Sequence, residues 1–155
     1  IVTKKIPRAA GSRGMNTEHT WPKSHGLDSY GISDLHHLLP TSSHVNSRRS
    51  DLPFGKVADI HWQGEGAKMG LDTSGKMVFE PPTEHKGNVA RAIFYVSAIY
   101  DLRLEDSQEA ILRTWHLQDP VDQEEKRRNA SVASVQGNRN PFIDDPLLVG
   151  RISDF

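Results

Sequence analysis

A carboxylate, an imidazole, an amide and two guanidinium groups fall within about thirty residues near the start of the chain. Asn16 to His19 reads Asn-Thr-Glu-His, Asp34 to Leu38 reads Asp-Leu-His-His-Leu, and Asn46, Arg48 and Arg49 follow. These are the parts needed to cut a phosphodiester with one hard metal ion. A hard divalent cation takes oxygen ligands, which Glu18 and Asn46 can supply. An attacking water needs a base that is neutral near pH 7, and a histidine such as His19 meets that need. Charge building on the phosphate needs fixed positive charge, which Arg48 or Arg49 can add.

The elements expected to hold these groups are short. Thr17 to Trp21 reads as a strand stopped by Pro22, and Leu35 to Leu39 as a second strand stopped by Pro40. Thr41-Ser42-Ser43 offers hydroxyl caps for a short helix from about Ser42 to Arg49, giving the order strand, loop, strand, helix. Neighbouring residues on a regular strand face opposite ways, so Glu18 and His19 can share a phosphate only where the strand ends or bends. The same parity should send one of His36 and His37 inward and the other outward. On the helix, Arg48 and Arg49 lie about 200° and 300° round from Asn46, so Arg49 is the nearer to the Asn46 face. Arg49 is therefore the arginine expected at the chemical step, Arg48 a structural or phosphate-backbone contact, and the turn residue Arg139 an outside candidate for nucleic-acid contact.

Beyond this stretch, Val57 to Trp62 alternates as a half-buried strand does, Gly64 to Gly70 reads as loop, and Asp72 to Gly75 is a turn returning into a strand over Lys76 to Phe79. The second half reads as helices: Gly87 to Leu104, then one capped by Asp106 with Ala110, Ile111, Leu112 and Trp115 inward. A third starts at Asp119-Pro120 and stops at Gly137. The expected fold is a single α+β domain over residues 1–155, with residues 1–15 an irregular arm.

Composition narrows the field. With 155 residues, 35% of them hydrophobic, the chain can bury one core and has no run of membrane-spanning length. It contains no cysteine, which excludes disulfides, thiolate zinc sites and cysteine nucleophiles. A formal net charge of −1 argues against non-specific coating of nucleic acid, while leaving room for a local basic cleft. The first residue is Ile1 rather than Met, so a mature or excised chain is expected. Six of the eight histidines precede residue 62, yet neither His-x-x-x-His nor His-Glu-x-x-His spacing occurs, which disfavours a zinc hydrolase. A nucleic-acid-binding module without activity is the other alternative, and intact Glu18, His19 and Asn46 argue against it. Lys126-Arg127-Arg128 sits on a helix that begins with acids and reads as a solvated, dipole-compensating face.

The ordered motifs Asn16-Thr-Glu-His-Thr-Trp-Pro-Lys-Ser24, Asp34-Leu-His-His-Leu-Leu-Pro-Thr41 and Val45-Asn-Ser-Arg-Arg-Ser50 resemble those of the bacterial endonuclease I family, of the ββα-metal (His-Me finger) superfamily. Pro53-Phe-Gly55, Lys86-Gly-Asn-Val-Ala-Arg91, Trp115-His116 and Gln136-Gly-Asn-Arg-Asn-Pro-Phe142 continue the likeness, from about Asn16 to Pro146. The resemblance implies a ββα-metal core with a small antiparallel sheet and several packing helices. It implies His19 as general base, Glu18 and Asn46 as ligands of one Mg²⁺ (Mn²⁺ or Ca²⁺ substituting in part), and His37 and Asp34 as residues that brace the motif. The implied protein is a secreted or periplasmic monomer, indifferent to sequence and sugar, that cuts DNA and also RNA and leaves 5′-phosphates. Some members carry an arginine between the two strands. Residues 20–33 here hold only Lys23, so that role passes to Arg48, Arg49, Arg139 or to none of them.

Overall fold

The computed structural model describes residues 14–155, so most of the N-terminal arm expected over residues 1–15 lies outside the described residues. Met15 already belongs to the first strand. β1 (Met15–His19) is followed by a short helix α1 (Ser29–Ser33), a 3-10 turn (Leu35–His37), β2 (Leu38–Ser42) and α2 (Ser43–Arg49). β1 and β2 form an antiparallel pair in which Glu18 faces Leu39 and His19 faces Leu38. A three-stranded antiparallel sheet comes next, built in sequence order from β3 (Asp59–Gly64), β4 (Ala67–Leu71) and β5 (Met77–Glu80). The remainder is helical: α3 (Lys86–Tyr100), α4 (Asp106–Gln118), α5 (Gln123–Gln136) and α6 (Pro141–Asp144). The class is α+β, as expected.

Several boundaries differ for local reasons. The second strand starts at Leu38, because the Asp34 carboxylate accepts the His36 amide and winds Leu35–His37 into a 3-10 turn. Pro40 does not stop that strand. It sits opposite Thr17 in a two-stranded ladder with an open outer side, where its missing N–H costs no ladder bond. The glycine-rich stretch read as loop contains β4. Glu65 and Gly66 both take positive φ and form the two-residue hairpin between Gly64 and Ala67.

Among the helices, α3 ends at Tyr100, with Asp101 left-handed behind it. Asp106 is the first residue of α4 rather than its cap, and Ala110 faces solvent. The cap of α5 is Asp122, not Asp119, which instead accepts the Gly87 amide at the start of α3. Gly137 ends α5 in the left-handed conformation, as read.

The core is one cluster centred on α3. Val89, Ile93, Phe94, Tyr95 and Val96 pack against Leu112 and Trp115 of α4, Phe142, Phe155 and, on the strand side, Trp21, Leu39 and Phe54. Arg91 is fully buried there and is matched by a two-pronged pair with Glu125, both contacts at 2.7 Å. The result is a rigid helical backing against which β1, β2 and α2 are held.

Candidate active site

Glu18, His19, Asn46 and Arg49 line one open cleft of about 690 Å³, with Lys23 on its rim. The strand ends at His19, which lets Glu18 and His19 reach this one space despite their opposite parity.

Glu18 is buried, and its Oε1 accepts from Arg49 Nη1 at 2.5 Å. Burial pushes its carboxyl pKa up, and the neighbouring guanidinium opposes that rise. Among the described residues Oε2 accepts no hydrogen bond. Asn46 donates through Nδ2 to the Thr17 carbonyl, 3.3 Å away, which ties α2 to β1 and leaves Oδ1 without a donor among the described residues. The two oxygens so left, one carboxylate and one amide, are the hard donors that a small divalent cation takes. The donor set therefore fits Mg²⁺. Among the described residues no three His, Asp or Glu side chains are grouped so as to hold a metal ion by themselves.

His19 is half-buried. Its Nε2 lies 3.1 Å from the Ile32 carbonyl, which can only accept. That contact puts the proton on Nε2 and leaves Nδ1 as the lone-pair nitrogen of the neutral ring. Burial, then the Lys23 charge, and more weakly that of Arg49, lower its pKa against the opposing pull of the Ile32 carbonyl, which favours the neutral ring.

His37 is fully buried and does the same thing on the neighbouring turn, donating from Nε2 to the Gly31 carbonyl at 2.7 Å. The rings of His19 and His37 meet edge to face with centroids 5.6 Å apart. His36 is buried too, and donates to the Asn138 carbonyl at 3.0 Å. The in-and-out alternation expected of the His36–His37 pair is therefore overturned: both turn inward because they stand in a 3-10 turn, not a strand.

Asp34 anchors that turn. It accepts four hydrogen bonds, from the His36 amide, Gln136, Tyr95 and Tyr100, at 2.7 to 2.9 Å. Burial alone would raise its carboxyl, but these donors outweigh burial and hold its pKa below the ordinary value.

The arginines divide differently from the expectation. Arg49 lies on the Asn46 side, but it is 2% exposed and its guanidinium is committed to the fold. Nη1 donates to Glu18 and the His19 carbonyl, Nη2 to the Thr20 carbonyl and Nε to the Leu52 carbonyl, while the group lies over the Phe54 ring. It positions Glu18 and the end of β1, with most of its donors already engaged. Arg48 is exposed on the other side of α2, 5.8 Å over the Trp62 ring. Arg139 is paired twice with Asp144 at 2.7 Å and does not line the cleft. Arg128, read as solvated, donates to the Leu35 and Leu38 carbonyls and clamps the histidine turn. Lys23 is the cleft cation that sequence reasoning passed over in its search for an arginine; its place in the Asn16–Ser24 motif was the available signal.

The sequence model of the Endonuclease I family matches residues 4–147. An extracellular ribonuclease of Bacillus amyloliquefaciens is 38% identical over 160 residues, covering 88% of this chain and 53% of its own length. An extracellular deoxyribonuclease of Aeromonas hydrophila is 34% identical over 116 residues, 72% of this chain and 48% of its own. Endonuclease-1 of Buchnera aphidicola subsp. Acyrthosiphon pisum is 31% identical over 111 residues, 72% and 44%. The chain thus spans about half the length of these curated relatives.

Proposed function

The chain belongs to the endonuclease I family, and on that premise we propose that it is a metal-dependent endonuclease, indifferent to sequence and sugar, that hydrolyses DNA and RNA to leave 5′-phosphate ends. The observation that carries the proposal is that Glu18, Asn46 and a His19 anchored through Nε2 line one cleft.

In this reading the β1–β2–α2 unit is a His-Me finger. Glu18 and Asn46 would hold a single Mg²⁺, for which Mn²⁺ or Ca²⁺ would substitute in part. Bound there, the ion would supply positive charge to offset the charge that builds as the phosphodiester is cut. His19 takes a proton from the attacking water at Nδ1, and the Ile32 carbonyl stabilises the imidazolium through Nε2–H as it forms. His37 and Asp34 fix the turn behind it. Arg49 aims the Glu18 carboxylate and opposes the rise in its pKa that burial causes, and Lys23 attracts the phosphate backbone.

Relatives carry both ribonuclease and deoxyribonuclease names, which supports indifference to the sugar. Backbone contacts position a strand without reading its sequence. The extracellular and periplasmic names support a secreted protein, and among the described residues no helix is long and apolar enough to cross a membrane. The intact set Glu18, His19 and Asn46 favours an enzyme over an inert binding module.

The test is nicking of supercoiled plasmid and degradation of single-stranded RNA, with Mg²⁺ and with EDTA, followed by end-group analysis. Cleavage that survives EDTA, or products with 3′-phosphates, overturns the proposal.

A further inference from the structure

The side of α2 that faces away from Asn46 carries a second constellation. His44 and Arg48 are one helical turn apart, so they share a face, and that face meets the indole of Trp62. The His44 ring is edge-on to Trp62 at 5.6 Å and the Arg48 guanidinium lies 5.8 Å over it. His44 and Arg48 are exposed and Trp62 is half-buried. Arg49, Arg91, Arg113, Arg128 and Arg139 are each bonded to protein oxygens. Arg48, like Arg127, makes no side-chain hydrogen bond or ion pair to an oxygen among the described residues, and of these two it is Arg48 that lies over the Trp62 ring.

The backbone under Trp62 is shaped to aim it. β3 is an edge strand, and its pairing with β4 slips between Ile60 and Trp62, so that Trp62 rather than His61 stands opposite Met69. Such a bulge turns a side chain away from its regular direction. Gly70 permits the bulge, since a Cβ there would stand 1.9 Å from the Asp59 carbonyl oxygen. Gly64 clears the indole edge, since a Cβ there would come within 2.8 Å of Trp62 Cζ2. A bulge and two glycines thus direct an indole towards a guanidinium that, among the described residues, has no oxygen partner.

We infer that Trp62, with His44 and Arg48, is a stacking subsite for an unpaired base of the nucleic acid strand that leaves the cleft across α2. The inference rests on the nuclease reading and adds a preference for strand segments whose bases are free to turn outward. An aromatic face beside a planar cation is what single-stranded nucleic acid stacks on, and it tolerates any base. A helix with its side chains is about 10–12 Å across, a span that a few nucleotides bridge. One end of the strand would then be held by the cleft and the other by the indole.

The test is binding, in EDTA, of a single-stranded oligothymidylate and of an abasic strand of the same length and charge. Trp21 and Trp115 are buried, so Trp62 is the more accessible of the three indoles, and stacking is read as quenching of its fluorescence. The base-containing strand should quench and bind at least about fivefold tighter than the abasic one. Trp62→Ala should erase that difference, Trp62→Phe should keep part of it, and His44→Ala with Arg48→Gln should reduce it with Trp62 in place. Equal affinity for the two strands, or an undiminished difference in folded Trp62→Ala, overturns the subsite. Plasmid cleavage is scored in parallel. Cleavage without base-dependent affinity overturns the subsite and spares the nuclease reading, and base-dependent affinity without cleavage does the reverse.

Discussion

Arg49 reaches back across the β1–α2 unit to place Nη1 2.5 Å from Glu18 Oε1 and 2.7 Å from the His19 carbonyl, so one guanidinium holds both the Glu18 carboxylate and the His19 backbone. Both side chains of this pair are nearly sealed from solvent. Removing one partner strands the other as an uncompensated buried charge. Arg49→Ala should therefore cost about 3–5 kcal/mol in urea unfolding. Arg49→Lys should fail to restore it, because an ammonium cannot cover the Glu18, His19, Thr20 and Leu52 oxygens together. A stability loss below about 1 kcal/mol in Arg49→Ala would count against the clamp.

Metal dependence should follow Glu18 and Asn46. Glu18→Gln and Asn46→Ala are each expected to raise the Mg²⁺ concentration for half-maximal cleavage more than they weaken DNA binding. EDTA should silence the wild type, and Mn²⁺ should partly restore it. Titration of rate against metal checks this. Unchanged midpoints in both variants would remove the ligand assignment.

His19→Ala should reduce kcat by about 10²- to 10⁴-fold, the usual loss of a general base, with little change in melting temperature because the ring is half-exposed. Near wild-type turnover at neutral pH would transfer the base to another group.

Stability should fall with acid in two stages. The buried rings of His36 and His37 have pKa values lowered chiefly by burial, so the native state resists a proton that the unfolded chain accepts below about 6.5. Their contribution is whole above that pH and declines as pH falls towards the lowered values. Asp34, also depressed, contributes fully above its ordinary pKa of 3.8 and loses that contribution as pH falls further. Asp34→Asn should flatten the second stage while lowering stability at neutral pH, where the Tyr95 and Tyr100 hydroxyls lose a charged acceptor. Thermal melts across this range provide the measurement, and a flat profile from about pH 7 to 5 would contradict the first stage.

Lys23→Gln should reduce the slope of log affinity against log salt by about 0.9, the value for one duplex phosphate that is no longer neutralised. Arg139→Gln should leave the slope alone, because that guanidinium is already paired with Asp144. Titrations at several salt concentrations in an inactive His19→Ala background separate the two. The opposite pattern would move the strand from the cleft to the α5–α6 turn.

What the amino-acid order supplied by itself was a set of candidate residues. Glu18, His19 and Asn46 stood out because their chemistry is specific and their spacing short, and the hydroxyls of Thr41, Ser42 and Ser43 marked the start of α2, which Ser42 caps by accepting the Val45 amide. The α+β class followed from periodicity, which each segment carries in its own residues. Tertiary structure alone decided the direction and partnership of the charges. Whether Arg49 faces phosphate or Glu18 depends on β1, thirty-one residues away, and whether Arg139 is free depends on Asp144. The inward turn of His36 and His37 needed Asp34, whose other bonds come from Tyr95, Tyr100 and Gln136. The strand hidden in a glycine-rich stretch needed its partners β3 and β5. Local sequence specifies propensity and reactivity, whereas a long flexible cation, or a carboxylate with four donors, is oriented by burial against segments far away in the chain.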